Sequence, residues 1–255
     1  MSKLSMFKKS ILPLAVGALI AGSNAALAYE QGDIIVKGGA ATVDPDESGG
    51  PITIETLGLG AAGNAKVGVG SDTQLGLTAT YMVSPTVGVE LLAATPFTHD
   101  IYADGQIRGL GNLGETSHLP PTLTLNWYFN DPNSAFQPYV GAGINYTIFF
   151  DESVSSTLDS AGTIDALASL AGAAPGTITS ASNTNLDLED STGLAFHAGF
   201  DYALTDNIGI NAAYWHLDIN TIGEITTDTN LGQVKAHVNV EIDPNVYMLG
   251  VAYKF

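Results

Sequence analysis

The sequence predicts an all-β fold, an eight-stranded antiparallel transmembrane β-barrel of the bacterial outer membrane. Three observations support this prediction. The last eleven residues alternate between large apolar and small or polar side chains, seven earlier stretches repeat that alternation, and the connections are alternately long and short. Bacterial outer-membrane barrels have an even number of strands, short periplasmic turns and long outer loops. We therefore expect both chain termini on the periplasmic side.

The N-terminal residues have the features of a secretory signal peptide. Lys3, Lys8 and Lys9 precede an apolar run at residues 11–21, and Ala-Leu-Ala at residues 26–28 forms a cleavage site. The apolar run is too short to span a membrane as a helix. We expect cleavage after residue 28, which leaves residues 29–255 as a single barrel domain.

The chain is acidic and contains no cysteine. It has 8 Lys+Arg and 26 Asp+Glu, and loss of a leader with three lysines and no acid would change its formal charge from −18 to −21. Such a polyanion repels nucleic acid, so nucleic-acid binding is disfavoured. Without cysteine, disulfide and thiolate sites are excluded. No cofactor is indicated.

The final stretch, residues 245–255, defines the strand pattern. Its large apolar side chains all fall on one face: Tyr247, Leu249, Val251, Tyr253 and Phe255. In a membrane barrel such a face contacts lipid, and the small or polar face lines the lumen. Because a sheet in lipid cannot have an open edge, other strands must repeat the pattern.

The first three strands are predicted at residues 33–43, 74–83 and 87–94. The first is weakly amphipathic because it is rich in glycine and alanine. The second alternates leucine, alanine and tyrosine with glutamine, glycine and threonine. Ser-Pro-Thr at residues 84–86 forms a tight turn. The third strand ends before Pro96, because proline cannot donate to a ladder.

Four further strands are predicted at residues 122–129, 140–148, 194–202 and 208–215. Each places aliphatic or aromatic residues outward and Gly, Ala, Thr, Asn or His mainly inward. Polar turns join them in pairs. Outward aromatic residues near strand ends fit the girdles at the two membrane interfaces: Tyr81, Trp127, Phe129, Tyr202, Tyr253 and Phe255.

Four long connections are expected to be outer loops, near residues 44–72, 96–121, 150–193 and 220–236. A short helix is expected at residues 164–171, within the longest of them. The soluble alternative is a secreted β-sandwich or lipocalin-like barrel. It would have to bury the apolar faces and leave glycine, threonine, asparagine, glutamate and histidine outside.

Several segments, taken in order, resemble the outer membrane protein W family (OmpW-like) of Gram-negative bacteria. They are Gln-Leu-Gly-Leu-Thr-Ala-Thr-Tyr-Met at 74–82, residues 88–97, His-Leu-Pro-Pro-Thr at 118–122, residues 137–146, and Asp-Pro at 243–244. The resemblance covers nearly the whole mature chain. It implies an eight-stranded barrel with a narrow, partly hydrophobic lumen, passage of small hydrophobic compounds, and exit sideways through the barrel wall. The segment at residues 153–182 is longer than the resemblance leads us to expect, and it is rich in serine, threonine, alanine, glycine and aspartate without a distinctive motif.

The inward faces predict where a solute would bind. Leu92 and Trp215 are large and apolar, and they should lie at similar heights, either as a constriction or as core filling. Above them the inward apolar face continues and predicts a vestibule beyond the membrane, provided that no bulge occurs at Asp243-Pro244. The predicted ligand-binding residues are Leu92, Trp215, Leu217, Ile219, Val238 and Val240.

Lower inward positions are polar, and they predict either a hydrogen-bonded plug or a polar pore. Because buried charges must pair, and eight strands enclose little space, the plug is favoured. These positions are Glu90, Asn126, Asn145, His197, Asp201, Asn211 and Lys254. Lys37 of the first strand is also expected on the lumen side.

Three prolines lie where the third and fourth strands meet the second long connection: Pro96, Pro120 and Pro121. Three missing backbone donors at one junction weaken the ladder there. They indicate either simple strand ends or, in line with the resemblance, a lateral exit.

Other functions are less well supported. A hydrolase could be built only if folding joined His99 and His118 to the adjacent Asp100 and Ser117, so no catalytic residues are assigned and an enzyme is not expected. The five histidines lack metal-ligand spacing. A structural or receptor-type barrel whose loops bind a partner, without transport, remains open. The expected partners are outer-membrane lipid, a small hydrophobic solute and, through Phe255, the barrel-assembly machinery.

Overall fold

The computed structural model describes residues 28–255, so the predicted signal peptide lies outside the described residues apart from Ala28. No helix within that range is long and apolar enough to cross a membrane. The strands in chain order are β1 (Ile34–Asp44), β2 (Ser48–Gly49), β3 (Thr53–Ile54), β4 (Ala65–Val69), β5 (Asp72–Ser84), β6 (Val87–Ala94), β7 (Phe97–Gly105), β8 (Asn112–Leu119), β9 (Thr122–Tyr128), β10 (Phe136–Val154), β11 (Ala181–Leu188), β12 (Ser191–Ala203), β13 (Ile208–Leu217), β14 (Asn220–Thr229), β15 (Gly232–Glu241) and β16 (Asn245–Lys254). One α-helix, α1 (Ala161–Leu170), and a 3-10 turn (Arg108–Leu110) complete the elements.

Eight strands form a closed antiparallel barrel in the order β1, β5, β6, β9, β10, β12, β13 and β16. The last strand closes on the first, from Ile35 opposite Lys254 to Asp44 opposite Asn245. Closure satisfies the backbone groups of every spanning strand, as lipid requires. The predicted fold class is confirmed.

The outer wall of the barrel is apolar. Leu125, Trp127 and Ile144 are more than half exposed, while their inward neighbours Thr124, Asn126 and Asn145 are buried. Lipid covers an apolar surface of this kind in a membrane barrel. The soluble alternative is therefore wrong, because the apolar faces point outward.

Short turns join the strands at one end of the barrel, which also holds Ala28 and Phe255; we call it the turn end. The opposite end, the loop end, carries the four long connections. These connections contain regular structure. The β7–β8 hairpin pairs with β4 and with the last part of β10. A second sheet has the order β11, β14, β15 and β2, with β3 also on β15.

The loop end has a hydrophobic core of its own. It contains Ile52 and Ile54 near β3, Ile225 of β14, and Ile164 and Leu167 of α1. The helix begins at Ala161, three residues before the predicted start, because Ser160 caps it by accepting a hydrogen bond from the Thr163 amide. The interval 153–182 therefore includes a packed helix and is not a bland loop.

Candidate functional site

The lower lumen is filled by a buried ionic network. Lys37 Nζ lies 3.0 Å from Glu90 Oε2 and 3.4 Å from Asp201 Oδ2, and each side chain is at most 1% exposed. Thr80 Oγ1 donates to the same Glu90 oxygen at 2.6 Å. Buried charges are tolerated when paired and hydrogen-bonded in this way. Lys37 is on the lumen side, as predicted.

Polar and aromatic side chains pack around this network. The Lys37 ammonium lies 4.4 Å from the centre of the Tyr139 ring. Asn211 Nδ2 donates to Tyr139 Oη at 2.9 Å and to Asp201 Oδ1 at 2.8 Å. A side chain at Gly141 would overlap His197. Of the two predicted arrangements, this is the hydrogen-bonded plug.

Tyr29 closes the turn end of the lumen, which the sequence did not lead us to expect. Its side chain is 1% exposed, and its hydroxyl donates to Asp201 Oδ2 at 2.7 Å. Its ring makes an edge contact with Tyr128, with centroids 5.0 Å apart. Lys254 Nζ donates to the Ala28 carbonyl at 2.6 Å. The segment before β1 thus seals the lower mouth.

An apolar layer covers the plug. Leu92, Trp215, Leu217 and Ile219 belong to one buried hydrophobic cluster, so four of the six predicted ligand-binding residues are brought together. Trp215 stacks on His197, with ring centroids 5.4 Å apart, and so separates the polar from the apolar lumen. Val238 and Val240 belong to the loop-end core.

A mainly apolar cavity lies next to this layer, towards the loop end. The space open to the centres of water-sized molecules in it is about 50 Å³. Of the predicted ligand-binding residues, Ile219 and Val240 line it, whereas Leu92, Trp215, Leu217 and Val238 do not. The complete lining is Val43, Pro45, Val69, His99, Ile101, Thr116, His118, Phe149, Leu188, Ile219, Thr221, Val240, Ile242 and Pro244.

The backbone around Asp243 does not reverse the facing of β15 and β16. Asp243 has a φ of 36°, in the left-handed region, and separates the two strands. Even so, Val240 before it and Met248 after it are both buried. The inward phase on which the predicted vestibule rests is preserved.

Two histidines, His99 and His118, belong to the polar part of the cavity wall. His99 Nδ1 lies 2.5 Å from the Gly70 carbonyl oxygen, and the two Nε2 atoms of His99 and His118 are 2.9 Å apart. His118 lies between aromatic rings, with centroid distances of 5.5 Å to Phe97 and 5.8 Å to Phe149.

The groups of a hydrolase do not assemble around these histidines. Ser117 Oγ pairs with Thr98 Oγ1 at 2.9 Å on the exposed face of the hairpin. Asp100 accepts from Tyr102 Oη and Asn112 Nδ2. No group of three or more His, Cys, Asp or Glu side chains suited to a metal occurs among residues 28–255.

The barrel ladder is interrupted at the three prolines. Pairing of β6 with β9 stops at Leu92 opposite Thr122. The next pair across this junction is Phe97 opposite His118, in β7 and β8. Between these pairs lie Pro96 and Pro120-Pro121, which have no backbone N–H to donate, and the Thr95 amide bonds to Leu75 on the other neighbouring strand. The interruption adjoins the cavity at His118.

Comparisons with known proteins agree over nearly the full length. A model of the OmpW family matches residues 30–175 and 168–255. The outer membrane proteins W of Vibrio cholerae serotype O1 and Escherichia coli K12 are each 40% identical to this chain, over 97% and 98% of it respectively and over 100% of their own lengths. The crystal structure of the outer membrane protein OprG from Pseudomonas aeruginosa matches with a TM-score of 0.74 and 42% identity, covering 90% of this chain and 99% of that chain.

Proposed function

The chain belongs to the OmpW family and is an outer-membrane β-barrel, and from this premise we propose that it is a channel for small hydrophobic molecules. A solute enters the cavity at the loop end, is stopped by the closed lower lumen and leaves sideways into the membrane. The interrupted ladder at Pro96, Pro120 and Pro121 carries the proposal, because it adjoins the cavity above the filled part of the lumen.

The cavity has the chemistry that such a solute requires. Ten of its fourteen lining residues are aliphatic, aromatic or proline. Transfer of apolar surface from water to such a site is favourable, at about 25 cal/mol per Å². Small apolar molecules are therefore the solutes that the cavity favours.

The plug argues against straight passage. An apolar solute that moved down past Trp215 would meet Glu90, Lys37 and Asp201, whose charges are paired and dehydrated. Separating buried partners is costly. A sideways step through the interrupted ladder at Pro96, Pro120 and Pro121, the proline junction, avoids that cost, because lipid lies directly outside.

The barrel lies in outer-membrane lipid, and we place its turn end in the periplasm. This orientation rests on the general arrangement of bacterial barrels, in which turns are periplasmic and long loops are outside. The cavity and the loop-end sheets then face the cell exterior.

One feature favours a second function, that of a structural or receptor-type barrel. The loop-end sheets and α1 share a packed core, so they present a rigid surface of the kind that binds protein partners. This function needs no solute to pass, and a transport measurement separates the two.

The proposal is tested by uptake of an apolar fluorescent dye into liposomes that contain the purified protein. The wild type should take up dye faster than protein-free liposomes. Ile219→Trp, which fills the cavity, should bring the rate close to the protein-free rate.

Ile210→Trp is the matched control, because Ile210 is 39% exposed on the lipid side. It should leave uptake unchanged, and heat-modifiable migration in gels should show both variants folded. Wild-type uptake equal to that of protein-free liposomes would refute transport and favour the receptor function.

A further inference from the structure

The cavity wall contains four polar side chains: His99, Thr116, His118 and Thr221. Both threonine hydroxyls donate to backbone carbonyls, Thr116 to Ser117 at 3.4 Å and Thr221 to Glu189 at 2.7 Å. The histidines differ, since each has two ring nitrogens and their protons must be assigned together.

The hydrogen bonds of the pair determine where its protons lie. A carbonyl oxygen only accepts, so His99 Nδ1, 2.5 Å from the Gly70 oxygen, carries the proton. In a neutral ring His99 Nε2 is then an acceptor. His118 Nε2, 2.9 Å away, must donate to it. His118 Nδ1 is left as an unprotonated acceptor.

This acceptor is unused. His118 is 5% exposed, and its Nδ1 has no hydrogen-bond partner among residues 28–255. Phe97 and Phe149 flank the ring and offer no donor. A buried acceptor without a partner is unfavourable, so a donor brought by a ligand is favoured there.

Both rings are held neutral by their surroundings. Burial lowers the pKa of His99, and burial together with the neighbouring His99 lowers the pKa of His118 to about 3, with Asp72 opposing. Asp72, whose charge acts on both rings, accepts hydrogen bonds from the Thr98 amide and from Gln74 Nε2.

We propose that His118 Nδ1 recognises solutes with one O–H or N–H donor on an otherwise apolar body, such as phenols, alkanols and indoles. The proposal rests on the proposed function, since it concerns the solute that occupies the same cavity. Hydrocarbons of equal shape leave the acceptor unpaired, and ions lose their hydration in an apolar cavity. The channel is therefore selective for singly hydrogen-bonding apolar molecules.

A purely structural role is the competing explanation. The pair ties β7 to β8 and to Gly70, which follows β4. If that were its only role, replacing His118 would alter stability without altering which solute binds.

The probes are indole and indene, which share size and shape but differ in one N–H donor. Their dissociation constants are measured by calorimetry on the full chain in nanodiscs. The ratio of the two constants is compared between wild type and His118→Phe, which cancels the different hydration of the probes. We expect the preference for indole to fall by about tenfold in the variant, the loss of roughly one hydrogen bond.

Thr116→Val and Thr221→Val are the matched controls, because each removes a hydroxyl whose lone pairs could also accept from a solute. They should retain the wild-type ratio. His99→Phe removes the acceptor that fixes the His118 tautomer, so it should reduce the preference partly, as expected of a positioning residue.

A second measurement needs no variant and keeps the proposal testable if His118→Phe fails to fold. N-methylindole should bind the wild type about tenfold more weakly than indole, since methylation removes the donor. Equal binding of indole and N-methylindole, or an unchanged ratio in His118→Phe, would overturn this inference alone. Binding of none of these probes would overturn the proposed function with it.

Discussion

At the scale of single residues, paired charges keep the lower lumen closed. Lys37 lies between Glu90 and Asp201, and all three side chains are buried. Water would have to enter this network before ions could cross it. Tyr29 adds a ring and a hydroxyl on the turn-end side. These few side chains separate the apolar upper lumen from the mouth at the turn end.

His118 makes the folding stability of the protein depend on pH. Its pKa is lowered from 6.5 to about 3 by burial and by His99, so the folded state keeps the ring neutral. As pH falls below 6.5, the unfolded chain binds a proton that the folded chain excludes. The contribution of neutral His118 to the free energy of unfolding is therefore fully present above pH 6.5. It is lost as the pH falls from 6.5 towards 3.

Urea unfolding at pH 6.5 and pH 4.5 measures this loss. The wild type should lose about 2 kcal/mol more than His118→Phe over that interval, since one pH unit is worth about 1.4 kcal/mol for one proton. An equal loss in both proteins would show that His118 does not carry the dependence.

The alternation of apolar and polar residues predicts which side chains face inward. It does not predict which of them form ion pairs or hydrogen bonds with one another. Lys37, Glu90 and Asp201 all have the inward phase, yet nothing in their spacing pairs them. Tyr29 precedes every strand, so no phase could be assigned to it. The sequence predicts a loop at residues 96–121, and a loop assigns no facing to His99 or His118. Alternation along β7 and β8 would have placed both on one inner face.

At the scale of elements, the eight barrel strands follow their predictions closely because each repeats one pattern against lipid. The loop-end strands were missed. Beyond the membrane the outside is water, so β14 and β15 bury the face that continues the lumen and expose polar residues. The sequence predicts that inversion for Val238 and Val240, but it predicts a loop at residues 220–236. Hydrophobic contacts from distant segments stabilise these strands, and local sequence does not reveal them.

The β14–β15 hairpin allows a test of orientation. Leu231 at its turn is 49% exposed, whereas residues 84–86 form the turn at the opposite end. An epitope inserted after Leu231 should bind antibody on intact cells. The same epitope inserted after Pro85 should bind only after the outer membrane is permeabilised. The reverse labelling would place the chain termini outside.

At the scale of the whole molecule, the barrel is divided along its axis. Its wall is apolar, its lower lumen polar and filled, and its upper lumen apolar beneath a structured loop end. Eight strands enclose just enough space for side chains, so an open straight pore is not expected. The fold and the inward phase follow from the sequence. The cavity does not, because it depends on how the loop-end sheets pack on the barrel.

Sideways exit is the central claim, and it requires the proline junction to open. The chain has no cysteine, so a thiol cross-linker reacts only with the introduced pair of cysteines. Ala94→Cys with Thr122→Cys, joined by a short cleavable cross-linker, ties the two strands at the lower edge of the interruption. Ala213→Cys with Met248→Cys places the same cross-linker across an unbroken ladder, since these residues are direct partners.

Dye uptake into liposomes by the cross-linked protein is the most direct measurement. Cross-linking at Ala94 and Thr122 should reduce uptake to nearly the protein-free rate, with recovery once the linker is cleaved, whereas the Ala213–Met248 cross-link should have no effect. Tyr29→Ala, which opens the lower mouth, should leave dye uptake unchanged. Full uptake with the junction cross-linked, together with faster uptake by Tyr29→Ala, would mean that the solute passes straight through the lumen and would contradict the lateral route.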